Sequence, residues 1–546
     1  MLPISWKPTH RQVLIIAIAT LLLWIFMIEF GVLSYTKGVW VYPQDEAYIR
    51  MAIARNFAFN HVWGLAKNEF SPSVSSILYP IGLAGIYFVF GSHLIISFIV
   101  NLAAAILLLF VVQKWLRKEE ITPWYQLWIL LGMIILIPLA VLVVIGMEHV
   151  LQILFSFLFI YHFCDWAGKE PGSGGAIPRN LFIYGVLMTA TRYEGIFIVM
   201  IACLLLLFKK RFIPAVLLGL ISTAPLIIFG FYSLSKGGYF VPNSVLIKSF
   251  PIPFNADGIT KFISEDVIDK LFYAFPTRGG VAAERILIII PILFALYWSL
   301  LRENKRYRYI LFFCLGTTIL HLVFANALFF YRYEAYLIGC SIPIFGVLLA
   351  RSGRFAIPRR NFGVLAIGVW AGLMLVYPFL YRSWDAYKDT GKGCINMFEQ
   401  DYLAAQFLHR YYDKTTIVID DLGAISYLTE GKKIDLNTGI GFMEITKSRV
   451  EQYYRPEYLD FVVSKVRPKI AVVLEKKYNP WLLHKWQKVA AWHTYNVLEP
   501  MGDKFLCFYA VDSSAAPALK KQLEEYEPLL PPGVKAGYYY APTAMK

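Results

Sequence analysis

Twelve apolar runs fill the first 380 or so residues, at roughly 13–34, 76–91, 93–113, 124–145, 150–165, 180–190, 195–208, 212–234, 285–301, 309–328, 335–350 and 361–381. A helix crossing a hydrocarbon core of about 30 Å needs roughly 20 such residues. Two runs fall short: at 1.5 Å per residue, 180–190 and 195–208 reach only about 16 and 21 Å. They flank the polar stretch TATRYEG, Thr189 to Gly195. That pattern predicts a helical hairpin whose apex stops inside the membrane, where charge is tolerated only against a wet or protein-lined cavity. The run SSILYPIGLAGIYFVFG, Ser75 to Gly91, is short and carries Pro80, Gly82 and Gly85. It predicts a helix lying in the outer interface without crossing.

Positive charge fixes the direction of the remaining eleven crossings. With Ser75–Gly91 left outside, five clusters fall on the cytoplasmic side: Lys114/Arg117/Lys118, Lys169/Arg179, Lys209–Arg211, Arg302/Lys305/Arg306/Arg308 and Arg351/Arg354/Arg359/Arg360. That is where such residues belong. The first run, Gln12 to about Leu33, is too long for a signal-peptide core and reads as an uncleaved span. The expectation is a multi-pass protein of the cell inner (plasma) membrane, its N-terminus cytoplasmic and its C-terminal part extracytoplasmic.

Beyond about Tyr381 the pattern changes. Short β-branched runs (TTIVID, KIAVVL, FLCFYAV) alternate with helical stretches such as MFEQDYLAAQFLHRYY, which predicts a small α/β domain. The tail from about Ser513, with EPLLPPG, reads as a loose extension. The fold class is therefore mainly α: a polytopic domain over 1–382, with interfacial helices in its first outer loop (35–91), then an α/β domain over 383–546. Composition agrees, with 58% hydrophobic and only 16% charged residues and a mean hydropathy of +0.54. The net charge of +15 would suit nucleic acid, but its Lys and Arg sit at the ends of apolar runs, so no nucleic-acid partner is expected. Cys164, Cys203, Cys314 and Cys340 lie in or beside apolar runs and read as packing residues. Cys394 and Cys507 are left open, as a pair or as free thiols.

Candidate chemistry gathers on the outer face. Asp45 and Glu46 follow the first span in VYPQDEAYIRMAIARNFAFN; Glu148 opens a span in VLVVIGMEHVLQ; Arg192 and Glu194 sit at the hairpin apex; Lys248 follows Pro-Asn-Ser; Arg332 and Glu334 lie in FFYRYEAYL. Each has a plainer reading. Asp45 could cap the helix beginning near Ala47, Glu148 could answer a helix dipole, and Arg192 with Glu194 could brace the hairpin. Arg50 and Arg55 could snorkel to headgroups, and Lys248 could be solvated. His149 and His321 read as satisfied by local hydrogen bonds, and Asp420 and Asp421 as caps of the following helix. Taken together, an acid at an extracytoplasmic surface can act as general base toward a sugar hydroxyl. Arg and Lys can neutralise a phosphate leaving group. No Walker or dinucleotide-type glycine motif is present.

The stretch DEAYIRMAIARNFAFNHVWGLAKNEF resembles the first outer loop of the GT-C membrane glycosyltransferases. It is most similar to the branch that contains the mycobacterial terminal arabinofuranosyltransferases, through Asp45, Glu46, Ala47, Tyr48, Ile49, Ala54, Arg55, Asn56, Gly64, Leu65 and Glu69. Further along, GMEH, TRYEG, PNSVLIK, YRYEAYL and DDLGAISYLTEGKKIDLNTGIG resemble that branch's later elements in the same order, with Tyr193 where the branch has proline. The resemblance implies that Asp45 deprotonates the acceptor hydroxyl. Glu46 and Glu148 would orient donor or acceptor, or hold a divalent cation if one is used. Arg55, Arg192, Glu194, Lys248 and Arg332 would serve the donor phosphate. The implied reaction is inverting transfer of one sugar from a polyprenyl-phosphate donor to a glycan or glycolipid acceptor. Transfer to a protein hydroxyl is the alternative within the class. A transporter or flippase of lipid-linked saccharides is the alternative outside it, and it fits poorly with a single broken hairpin.

Overall fold

The computed structural model describes residues 8–169, 176–248, 305–325, 329–352, 362–420, 422–498 and 502–539. The apolar run 285–301, Arg302, Arg354, Arg359, Arg360 and Asp421 lie outside them. Among the described residues, five helices are long and apolar enough to cross a membrane: α1 (His10–Tyr35), α4 (Ile95–Lys118), α7 (His149–Ala167), α10 (Phe212–Ser235) and α12 (Lys305–Phe324). Between α1 and α4 lie α2 (Asp45–Asn60) and α3 (Leu78–Phe90). The apolar run 124–145 is not one helix. It is α5 (Pro123–Leu136) and α6 (Leu139–Val144), parted at Pro138, which has no N–H to continue the ladder. The predicted hairpin is present as α8 (Arg179–Thr191) and α9 (Gly195–Phe208). The short α11 (Asn243–Lys248) follows α10, and α13 (Ala335–Ser352) and α14 (Phe362–Met397) follow α12.

The bundle has two chemically distinct ends. At one, Glu119 binds Arg306 (2.5 Å) and Arg351 (2.9 Å), Lys118 reaches Asp165 (3.5 Å), and Lys209 donates to the Ala167 carbonyl (2.8 Å). These are four of the basic clusters the sequence placed together. The other end holds the hairpin apex, α2 and the C-terminal domain. Both termini of α3 lie there, since Ile77 N donates to Ala190 O (2.9 Å) and Ser92 O accepts from the Tyr427 hydroxyl (2.9 Å). At 13 residues, α3 spans about 20 Å, too little to cross.

Helix α14 is 36 residues long and runs unbroken past residue 383 into the C-terminal domain. A π-turn (Phe398–Tyr402) leads to α15 (Leu403–Tyr412). The domain's six strands are β1 (Ile417–Ile419), β2 (Lys433–Ile434), β3 (Ile470–Leu474), β4 (Gln487–Thr494), β5 (Phe505–Ala510) and β6 (Val534–Tyr538), in the order β2-β1-β3-β5-β4-β6. The first three are parallel and the rest antiparallel. Helices α16 (Gly423–Leu428), α17 (Met443–Val450), α18 (Pro456–Val466), α19 (Pro480–Leu483) and α20 (Ala516–Tyr526) pack around them. The tail is not loose. In α20, Leu519, Leu523 and Tyr526 form a buried stripe, Tyr526 stacks on Trp492 at 5.8 Å, and β6 pairs along β4. Cys394 and Cys507 are both buried and free.

The domain is seated on the bundle by specific contacts. Lys67 pairs with Glu430 (2.6 Å) and Lys432 with Glu69 (2.8 Å), and Asn243 donates to Ile440 O (3.1 Å). Beside this seam Lys433 is only 6% exposed, and its ammonium donates to Thr429 O (2.7 Å). Burial pushes its pKa down to about 7, because desolvation disfavours the charged form. Between pH 7 and the unfolded value near 10.5, the unfolded chain binds the extra proton, so stability rises with pH across that window. Lys433→Met is expected to raise the melting temperature at pH 7, with the gain shrinking toward pH 10. Thermal unfolding of the full chain in detergent at both pH values checks this; a gain independent of pH would contradict it.

Candidate active site

Helix α2 begins at Asp45 itself, with Gln44 as N-cap and no side-chain capping bond. Asp45 is therefore not the cap the sequence allowed. Asp45 and Glu46 occupy the first turn, where the helix dipole favours acids. Asp45, Glu46, Ile49 and Arg50 form one wall of a cavity of about 590 Å³, within the usual range for small-molecule sites. Ser73, Val74 and Ser75 extend that wall, and Arg192, Tyr193 and Glu194 enter from the hairpin apex. Asp420, Leu422, Thr438 and Ile440 close it from the C-terminal domain. A further wall is apolar, with Ile196, Phe197, Met200 and Phe324. Met200 and Phe324 are also 42% and 44% exposed, so this wall reaches the outside of the helix bundle.

Behind the polar wall runs a chain of alternating charges. Glu148, fully buried just before α7, takes Arg50 in bidentate fashion (2.5 and 2.8 Å) and Arg192 at 3.1 Å. Arg192 turns its other edge to Glu194 (3.1 and 2.5 Å). Arg50 also reaches Glu46, at its carbonyl (2.8 Å) and its carboxylate (3.5 Å), and Glu46 binds Arg332 (2.8 Å). The order is Arg332–Glu46–Arg50–Glu148–Arg192–Glu194, three cations against three anions. Such forked pairs are strong and directional, and buried ions persist only when saturated in this way. Gly146 makes the turn beneath it possible. Its φ is +71°, and a Cβ there would strike the Tyr42 ring, so only glycine suits the position.

Of the residues singled out in the sequence, Asp45, Glu46, Arg192 and Glu194 line the cavity, while Glu148 lies one layer back behind Arg50 and Arg192. Arg332 is 4% exposed behind Glu46, and its Nε and Nη1 have no hydrogen-bond partner among the described residues. Lys248 ends α11, beside the domain seam; its side chain lies outside what is described. Arg55 does not reach the cavity. Ten residues along α2, about 15 Å from Asp45, it donates to the carbonyls of Ser426 (3.3 Å) and Tyr427 and ties α2 to the C-terminal domain. Its donor-binding assignment is thereby replaced by a structural one. The remaining helices bring no further charged group to this cavity among the described residues.

Two residues escaped the sequence reading. Arg50 is 3% exposed and ion-paired, so it does not snorkel; its spacing of four from Glu46 on one helix face was the available signal. Asp420 does not cap α16, whose N-cap is Leu422; its carboxylate accepts from Asn437 Nδ2 (3.1 Å) and lines the cavity. His321 meets Tyr336 (3.3 Å) as expected. His149 does not find its local hydrogen bond: both ring nitrogens are buried without a partner among the described residues, and the ring stands edge-on to Tyr333 at 5.9 Å. Among the described residues no three His, Cys, Asp or Glu side chains come together as a metal site.

The chain is similar over most of its length to the crystal structure of ArnT from Cupriavidus metallidurans bound to undecaprenyl phosphate. The TM-score is 0.53 at 12% identity, covering 92% of this chain and 98% of ArnT. At that identity the likeness establishes the fold: a helical membrane domain of the ArnT kind carrying a C-terminal domain. Residues 395–509 match a family described as a domain of unknown function (DUF8728), and no curated protein matches by sequence.

Proposed function

We propose that the protein is a polyprenyl-phosphate-dependent glycosyltransferase that moves one sugar to a hydroxyl of an envelope glycan or glycolipid on the extracytoplasmic side. The observation that carries this reading is the cavity itself. It joins an acid wall at Asp45, a guanidinium edge at Arg192 and an apolar wall open to the bundle exterior. A lipid-linked phosphate sugar needs those three surfaces together, and ArnT, whose fold this chain shares, holds undecaprenyl phosphate.

In this reading the isoprenoid lies along Phe197, Met200 and Phe324, and the phosphate meets Arg192, with Arg332 behind it. Asp45 takes the proton as the acceptor oxygen attacks the anomeric carbon, while the guanidinium groups stabilise the charge growing on the departing phosphate. Attack and departure on opposite faces invert the anomeric centre. Glu148 takes no proton; it fixes Arg50 and Arg192 in register. The test is reconstitution in liposomes with a radiolabelled polyprenyl-phosphate pentose or hexose and an oligosaccharide acceptor. Label should enter the acceptor one-for-one with release of polyprenyl phosphate. Movement of intact lipid-linked sugar across the bilayer without transfer would favour a transporter instead.

A further inference from the structure

We infer that Asp420, presented by the C-terminal domain, selects the acceptor: an uncharged polyhydroxyl group docks against Asp420 and Thr438, and acceptors carrying a carboxylate or phosphate there are refused. This rests on the transfer reading above and adds to it the chemical class of the acceptor. Strands β1 and β2 are parallel and both end on the cavity, with Asp420 directly after Ile419 and Thr438 four residues after Ile434. The carboxyl ends of parallel strands are where α/β sheets present ligand-binding loops.

The loop after β2 is built rather than slack. The buried Asp435 carboxylate accepts the N–H groups of Asn437 (2.9 Å) and Thr438 (2.7 Å) and the Thr438 hydroxyl. Thr446 Oγ1 donates to Gly439 O (2.6 Å), and Asn243 donates to Ile440 O (3.1 Å). From this scaffold the Asn437 amide holds Asp420 Oδ1 at 3.1 Å. A carboxylate oriented in advance binds hydroxyl donors without first being ordered. With the Thr438 hydroxyl proton given to Asp435, its oxygen accepts the Ile440 N–H (3.3 Å) and keeps a second lone pair for a donor from the cavity that Thr438 lines.

Charge decides what is refused. The charged groups lining the cavity among the described residues are Asp45, Glu46, Glu194 and Asp420 against Arg50 and Arg192. Both arginines are held by Glu148, one layer behind the wall they form. Among the described residues, Asp420 is the charged side chain that the C-terminal domain contributes to the cavity, so an anionic acceptor entering there meets like charge, whereas sugar hydroxyls meet two acceptor oxygens.

The experiment compares a neutral glycoside acceptor with its uronate counterpart, using the full-length protein in liposomes. The parent protein should favour the neutral acceptor by at least about tenfold in kcat/KM. Asp420→Asn should raise the KM for the neutral acceptor about tenfold, leave kcat and the donor KM within about twofold, and shrink the neutral-to-uronate preference. Thr438→Val should raise the acceptor KM without altering that preference, which keeps the inference testable if the Asp420 variant fails to bind donor. Equal use of both acceptors by the parent, or an unchanged acceptor KM in both variants, overturns the inference. A parent protein that transfers to neither acceptor overturns the transfer reading and this inference with it.

Discussion

Asp45→Asn is expected to remove sugar transfer while leaving a folded protein that still binds donor lipid. Asparagine keeps the shape and one acceptor oxygen but cannot take a proton from the attacking hydroxyl. Loss of a positioned general base typically lowers turnover by about 10²–10⁴. The structural consequences are small by comparison. Asp45 is part-exposed to the cavity at the first turn of α2, and losing one carboxylate beside a helix dipole costs about 0.3–1 kcal/mol. The pairs that hold the wall together run through Glu46, which keeps Arg50 and Arg332. The readouts are kcat for transfer, thermal unfolding in detergent, and retention of polyprenyl phosphate. Turnover at the parental rate would remove Asp45 from the chemistry; loss of donor binding in step with turnover would recast it as a donor ligand.

What the sequence displays and what it conceals divide along the range of the interaction. The hairpin was legible because two runs flanking Thr189–Gly195 are each too short for the bilayer, a fact readable from length alone. The short helix α3 was legible for the same reason. Strands β1, β3 and β5 followed from β-branched runs. By contrast, β2 has two residues and no periodicity to detect. The stripe Leu519, Leu523, Tyr526 is interleaved with Lys520, Lys521, Glu524 and Glu525, which disguised a packed helix as a polar tail. Arg50 looked like a snorkelling side chain because its partner lies 98 residues away. Asp420 looked like a helix cap because only the packing of α16 against α2 brings it to the cavity that Asp45 also lines. Composition and spacing pointed to acids and bases gathered from separate stretches of the chain; which of them touch is a property of the folded chain.

The sharpest test of that buried arrangement is Glu148→Gln, for which we expect loss of both stability and activity. Glu148 is fully buried and faces Arg50 and Arg192. Neutralising it leaves the three arginines of the chain with two carboxylates, and an uncompensated buried charge costs roughly 3–5 kcal/mol. Against a total stability of about 5–15 kcal/mol, that is enough to lower the melting temperature markedly and to reduce the yield of folded protein. The companion variant removes one charge of each sign. In Glu148→Met with Arg50→Met, the pairs Arg192–Glu194 and Arg332–Glu46 remain intact, and apolar groups replace a buried ion pair, an exchange that is often neutral or stabilising. Thermal stability should therefore return toward the parental value while turnover stays low, because Arg192 has lost the carboxylate that aims it across the cavity. Stability that fails to recover would refute charge balance as the source of the loss. Recovery of turnover together with stability would show that Glu148 serves folding alone, and that the phosphate is held without its help.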